Sequence, residues 1–525
     1  GYQQETDPNA HNASHSQAAL QRHVTNRAFW SMGGRQSRSR IAPNTEVNVI
    51  QVEVSLPSGA SCSVALGAEA SVAELKEAAQ RQLKRRFLTL VLGQRLDPSA
   101  SLSQAGLKDG DAVAAIAQHA RLVATFGAFA LYVGGSRAVT WGEAKCGGDS
   151  SQVRKQLVRV QQISATRAAF AAIREDGSVV TWGDPDYGGD SSQVQEQLTK
   201  GVRQIHSTES AFAALKEDGS VVTWGNSDCG GDSSEVQLND VHALQATGLA
   251  FAAITADGSV ITWGNAEYGA HSTQVAEQLV RVRQIQSSRA AFAAIKDDGS
   301  VVTWGDPARG GDSSQVREQL VRVQQIQATR RAFAAILEDA SVVTWGSPDH
   351  GGDSSLVQDQ LTSVQQIQGS GQAFAAVKAD GSVVAWGNSD HGGSCHQVQV
   401  PLTRIQHVQA SYGAFAALRH DGAVVAWGDW DSGGNAKEEL RGVTRIQATE
   451  NAFAAIKADG TVVTWGHRDY GGDSRRVREQ LTDVQQIQAS KAAFAAIKED
   501  GSLVTWGDPD FGSDSRAVQN EILTL

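Results

Sequence analysis

Cysteine and methionine are scarce: 525 residues contain four of the first and one of the second. Cys62, Cys146, Cys229 and Cys395 are scattered without paired spacing, which fits neither a zinc site nor a disulfide framework. A reducing compartment, cytoplasmic or nuclear, is the simplest reading. No apolar run approaches the roughly 18 residues a membrane-spanning helix needs, so no membrane partner is expected. The chain opens on Gly1 rather than Met, which leaves room for a presequence. Proline is also sparse, at nine, whereas glycine reaches 53, and that imbalance points to many tight turns copied from one template.

Positive charge is in deficit where most of the chain lies. The net charge is −11, made of +2 over residues 1–47, zero over 48–118 and −13 over the remainder. An acidic surface of that extent repels phosphate backbones, so nucleic acid is excluded as a partner unless a local basic patch exists.

Trp-Gly pairs begin at Trp141, Trp182, Trp224, Trp263, Trp304, Trp345, Trp386, Trp427, Trp465 and Trp506, so residues 119–525 hold ten repeats of about 41 residues. A representative unit has a strand at Val323–Ile326, a second at Ala332–Ile336, a turn at Asp339-Ala340 and a third strand at Ser341–Trp345. Eight copies place Asp-Gly at the turn, from Asp176-Gly177 to Asp500-Gly501, and Asp-Gly supplies the positive φ of a tight hairpin. Ala340 occupies that position in the sixth copy and is expected to be strained. The piece after each Gly-rich loop, such as Gln193–Leu198, suits either a capped helix or a fourth strand. Val180 and Trp182 share one strand face and Val179 and Thr181 the other, which favours buried tryptophans over sugar-stacking ones.

Two strands, a tight turn and a strand ending in Trp-Gly before a Gly-rich loop resemble the repeat of the RCC1 family of β-propellers. That resemblance implies a mainly β, tandem-repeat propeller. The family's propellers have seven blades of 50 or more residues; here a single ten-membered ring, a seven-bladed ring with three extra units and an open spiral are all compatible with the repeat.

Residues 47–118 follow a different pattern. Ile50, Val52 and Val54 alternate with polar residues, Pro57-Ser58-Gly59 makes a turn, and Cys62, Val64 and Leu66 alternate again. Ser71 and Glu74 have capping-box spacing ahead of a helix whose apolar face is Val72, Leu75, Ala79 and Leu83. Strands follow at Phe87–Leu92 and Ala112–Ala117. This ββαββ order, with Leu88 to Leu96 and Ser101 to Leu107, resembles ubiquitin and the ubiquitin-like domains, an α+β β-grasp fold. The resemblance places a docking patch at Leu90, Gly93 and Ile116; the alternative is that Leu90 and Ile116 are buried against the first repeat. Ala114 and Pro57 depart from the ubiquitin pattern, and the chain runs on past Gln118 without a terminal Gly-Gly, so conjugation is not expected.

Residues 1–46 read as a disordered polar tail. Within it, Leu20, Val24, Ala28 and Phe29-Trp30 suit either a short docking helix or, the favoured reading, a weakly structured segment covering the neighbouring domain, and Arg35, Arg38 and Arg40 among serines suit a modification or import segment.

No catalytic residue stands out. Cys395 and His396 are adjacent, and neighbours on a strand point to opposite faces, so they are not expected to pair as nucleophile and base. Asp184, Asp186 and Asp190 have the character of a calcium loop without its full ligand set, and turn capping explains them. No metal or cofactor is expected. The sequence therefore reads as a non-catalytic scaffold or adaptor, its ubiquitin-like domain engaging ubiquitin receptors or proteasome components and its repeats holding another protein. The alternatives are guanine-nucleotide exchange on a small GTPase, for which no wedge insertion is visible, and an accessory role in a ubiquitin ligase.

Overall fold

A computed structural model describes residues 48–522 except 84–87, 118–119, 397, 399–400 and 437–439. The docking helix and arginine segment read in the tail lie outside the described residues.

In the small domain, β1 (Val49–Ser55) pairs antiparallel with β2 (Ser61–Gly67). Then come α1 (Val72–Leu83), β3 (Leu88–Leu92), β4 (Gln94–Arg95) and β5 (Ala112–Ala117). The sheet order is β2-β1-β5-β3-β4, with β1 and β5 parallel, the β-grasp arrangement. The capping box forms: the Ser71 N–H donates to Glu74 Oε2 at 2.7 Å and the Glu74 N–H to Ser71 Oγ at 3.2 Å. Val72, Leu75 and Ala79 of the helix bury against Ile50, Val52, Val54 and Val113 of the sheet.

Each repeat is one antiparallel three-stranded sheet, as in Val323–Ala328, Ala332–Leu337 and Val342–Gly346. No fourth strand joins any of the ten described sheets. The ambiguous piece after the Gly-rich loop is a 3₁₀ turn, Ser192–Leu198 in the second repeat. The second strand is buried along its length because both faces are covered: Phe333 and Ala335 pack toward the preceding repeat, and Ala332, Ala334 and Ile336 toward the next. Alternation of apolar with polar residues is therefore lost there, and small alanines let the sheets approach. Phe333 stacks on Trp345 with ring centroids 5.2 Å apart, and Trp345 Nε1 donates to the Gly310 carbonyl of the preceding repeat at 3.0 Å. The ten tryptophans of the Trp-Gly pairs are core residues, not sugar platforms.

The same bond closes the array. Trp141 Nε1 of the first repeat donates to the Gly512 carbonyl of the last at 3.0 Å, and Phe129, Leu131 and Trp141 share one core with Ala493, Ala495, Ile497 and Leu503. The ten repeats form a single closed propeller ring, which resolves the three alternatives left by the sequence.

Ala340 has φ of 62°, in the left-handed region expected of it. A second left-handed site was not foreseen: the residue before the first strand, including Arg159, Asp240, Arg281 and Arg322, has φ of 51–55°. This bend lets adjacent backbone groups serve two hairpin tips: the Arg322 carbonyl accepts from the Glu338 N–H, and the Val323 N–H donates to the Gly299 carbonyl of the preceding repeat.

Candidate functional sites

In the small domain, strand alternation decides which side chains are presented. β3 pairs with β5 so that Leu90 lies opposite Ala115, Thr89 opposite Ile116 and Val91 opposite Ala114. Leu88, Leu90, Val113 and Ala115 point into the domain's core, and Leu90 is only 3% exposed. Leu90 therefore cannot belong to a surface patch, a correction to the sequence reading. A shift of one residue along a strand exchanges its faces, and Val91 is the residue that shares the outward face with Ala114 and Ile116. Ile116 is 45% exposed, Leu92 is 37% exposed, and Gly93 turns between β3 and β4 with φ of 69°.

The domain meets the ring elsewhere. Arg95 Nη1 lies 2.8 Å from Glu175 Oε1 and Nη2 donates to the Gly135 carbonyl at 2.8 Å. Gly135 and Glu175 belong to the hairpin tips of the first two repeats. A cleft of about 830 Å³ lined by α1, Arg95, Arg137, Val158 and Arg159 runs along this junction. The domain thus sits at the hairpin-tip end of the ring and leaves the opposite end uncovered.

At that opposite end, the turn between first and second strands starts with Thr or Ser in every repeat. The Thr166 hydroxyl accepts from the Ala169 N–H at 3.1 Å and donates to the Tyr187 carbonyl at 2.8 Å, tying the strand turn to the 3₁₀ turn outside it. The next residue of each repeat faces the ring axis. Backbone hydrogen bonds of 2.7–3.4 Å link these residues from Phe126 through Arg167 and Glu209 round to Lys491. At about 4.8 Å per step, ten such residues enclose a circle about 15 Å across.

Charged side chains reach across this axial mouth. Glu209 bridges Arg167 at 2.8 Å and Arg289 at 3.5 Å, reaching past Gly248. Glu450 bridges Arg330 and Lys491, each at 3.6 Å, and Arg330 spans Gly371 and Tyr412 to do so. Arg330 also lies 4.4 Å from the Tyr412 ring centroid, and Arg167 lies 4.8 Å from that of Phe126. A cavity of about 430 Å³ remains between these groups. The sequence alone did not disclose this site, because its members are spread 38 to 42 residues apart; the signal was the variable dipeptide between an unvarying Thr/Ser and an unvarying Ala-Phe-Ala.

The other residues considered from the sequence take structural roles. Asp184 Oδ1 accepts from the Asp186 N–H at 3.0 Å and Asp190 Oδ1 from the Ser192 N–H at 2.8 Å, as caps. Among the described residues no three His, Cys, Asp or Glu side chains converge as metal ligands. Burial pushes the Cys395 thiol up, away from the thiolate a nucleophile needs. No described helix is long and apolar enough to cross a membrane.

No family model and no curated protein sequence matches the chain. Solved structures do. Human WBSCR16 is 19% identical over 45% of this chain and 78% of its own, with a TM-score of 0.31. Prp20p of Saccharomyces cerevisiae, also termed yeast RCC1, is 15% identical over 62% and 86%, with a TM-score of 0.32. The ubiquitin-like domain of Plasmodium falciparum Dsk2 is 22% identical over 13% of this chain and 96% of its own, with a TM-score of 0.12. The structural neighbours thus include RCC1-like propellers and ubiquitin-like domains, the two folds the sequence resembles.

Proposed function

We propose that the protein is a non-catalytic adaptor in which the ubiquitin-like domain docks ubiquitin receptors or proteasome components while the ring holds a second protein. The observation that carries this reading is the exposure of Ile116 with the whole ring in place: the domain is anchored through Arg95, and its outward sheet face stays open. The docking patch is then Gly93 and Ile116 with Val91, and Leu90 supports it from beneath. Linking two binding modules on one chain raises the effective concentration of one partner near the other, which requires no reaction.

Methyl spectra of the full chain, labelled at isoleucine and titrated with a ubiquitin-associated domain, test the docking. Ile116 shifts on binding and Ile116→Glu abolishes the shift; an unmoved Ile116 resonance would overturn the reading. Accelerated nucleotide release from a small GTPase in the presence of the chain would replace it with the exchange-factor alternative.

A further inference from the structure

We propose that the axial mouth is the recognition surface of the ring and that it takes a compact anionic group carried by a peptide whose flanks are neutral or basic. This deepens the reading that the ring holds a partner.

The first argument is where the repeats differ. Their strands and hairpin tips are close to identical, with Asp-Gly at eight of ten tips, yet the residue at the mouth is Phe, Arg, Glu, Gly, Tyr or Lys according to the copy. Packing alone would favour one solution ten times over, as it does for Phe333 and Trp345 and their counterparts. Diversity concentrated in the turns at one end of the ring, while the strands and the opposite tips stay alike, is the pattern of a surface that reads an asymmetric ligand.

The second argument is charge. The protein is acidic overall, but the ring of mouth residues is not: Arg167, Arg289, Arg330 and Lys491 pair with Glu209 and Glu450, four cations to two carboxylates. Each glutamate is shared between two cations, so each cluster keeps one surplus positive charge. Outside the mouth the sign reverses. The second residue of the 3₁₀ turn, or of the equivalent turn in the eighth repeat, is an exposed carboxylate in eight of ten repeats, from Asp186 and Asp228 to Asp469 and Asp510. A basic hub within an acidic annulus admits a compact anion and repels an extended polyanion. Trp430, in the same annulus, is 75% exposed where other copies place Pro, Ser, Ala or Arg, and supplies an apolar anchor beside the hub.

Fluorescence anisotropy on the full chain tests this with two labelled peptides: one with a central Glu-Glu pair flanked by lysines, and one of inverted charge. The first is expected to bind at least tenfold more tightly. Arg289→Gln with Arg330→Gln should remove that preference while leaving the melting temperature within a few degrees of the parent's, whereas Lys296→Gln with Lys378→Gln, near the hairpin tips, should retain it. Displacement of the peptide by succinate would show that the free anion suffices; retention of the peptide against succinate would show that its flanks contribute. Equal binding of the two peptides, tighter binding of a single-stranded oligonucleotide, or indifference to the mouth substitutions would overturn the proposal. The Ile116 titration reads the other module and is independent of all three outcomes.

Discussion

Replacing Ala340 by glycine should stabilise the ring. At φ of 62° the Ala340 methyl crowds the backbone, and left-handed geometry costs an L-residue roughly 1–2 kcal/mol. Glycine also widens the unfolded ensemble, which opposes the gain by about 0.4–1 kcal/mol. A third contribution favours glycine. At the equivalent Gly258 and Gly299, an added Cβ would lie 2.7 Å from Arg281 Cα and 2.6 Å from Arg322 Cα, so the site has little room for a methyl. The net expectation for Ala340→Gly is a gain of about 1 kcal/mol, and for Gly299→Ala a loss of about 1–2 kcal/mol. In a chain this large such changes move the melting temperature by only about 1–3 °C. Hydrogen exchange at the Leu337–Val343 peptide is therefore the sharper assay, with slower exchange in Ala340→Gly and faster exchange at the fifth repeat's tip in Gly299→Ala. Faster exchange in the first variant, or an unchanged tip in the second, would refute the assignment of strain.

Closure predicts that Trp141→Phe destabilises as much as Trp304→Phe, each by about 1–3 kcal/mol, because each leaves a buried carbonyl unpaired; a Trp141→Phe chain with parental melting beside a damaged Trp304→Phe chain would contradict the ring. Hydroxyl and N–H donation from the serine two residues on holds the Asp298, Asp339 and Asp380 carboxyls below the usual carboxylate range. Their native affinity for protons is thus lower than in the unfolded chain, so the stability they contribute is complete above about pH 4 and is lost as pH falls through the lowered range. Thermal melts from pH 6 down to pH 2.5 should show this decline, and Ser300→Ala with Ser382→Ala should lessen it. Burial and then the hydrogen bond to Glu143 push the Cys146 thiol up to about 12. Iodoacetamide at pH 8 should therefore alkylate it at least about a hundredfold more slowly than a cysteine in a free peptide, and Glu143→Gln should recover part of the rate.

The elements most legible in the sequence were those specified by local chemistry. Asp-Gly turns, the Ser71–Glu74 capping box and the alternation through Ile50, Val52 and Val54 each encode a nearby backbone geometry, and all three form as read. Ala340 was legible for the same reason. Closure was not, since nothing near Trp141 in sequence distinguishes a carbonyl partner 371 residues away from an open end. Of the patch residues, Leu90 alone departs from the expectation, by one strand position: Leu88 and Leu90 both belong to the apolar face, and the period of two puts Val91 outward. The left-handed Arg159 and Arg281 escaped notice because most of these positions lack the glycine that usually marks such geometry. They are held there by hydrogen bonds to hairpin tips distant in sequence.

A ring joined first to last also counts its members. With ten units each turning the chain by about 36°, a ring of nine or eleven must change that turn to about 40° or 33° at every interface before Trp141 can meet the Gly512 carbonyl. A gene of near-identical tandem copies is open to slippage that adds or removes whole units. An open solenoid would survive such events as a longer or shorter version of itself. Here such an event must also reset the angle at every interface or leave two apolar faces open, so the number of copies is tied to the geometry of each repeat as it is not in an open array.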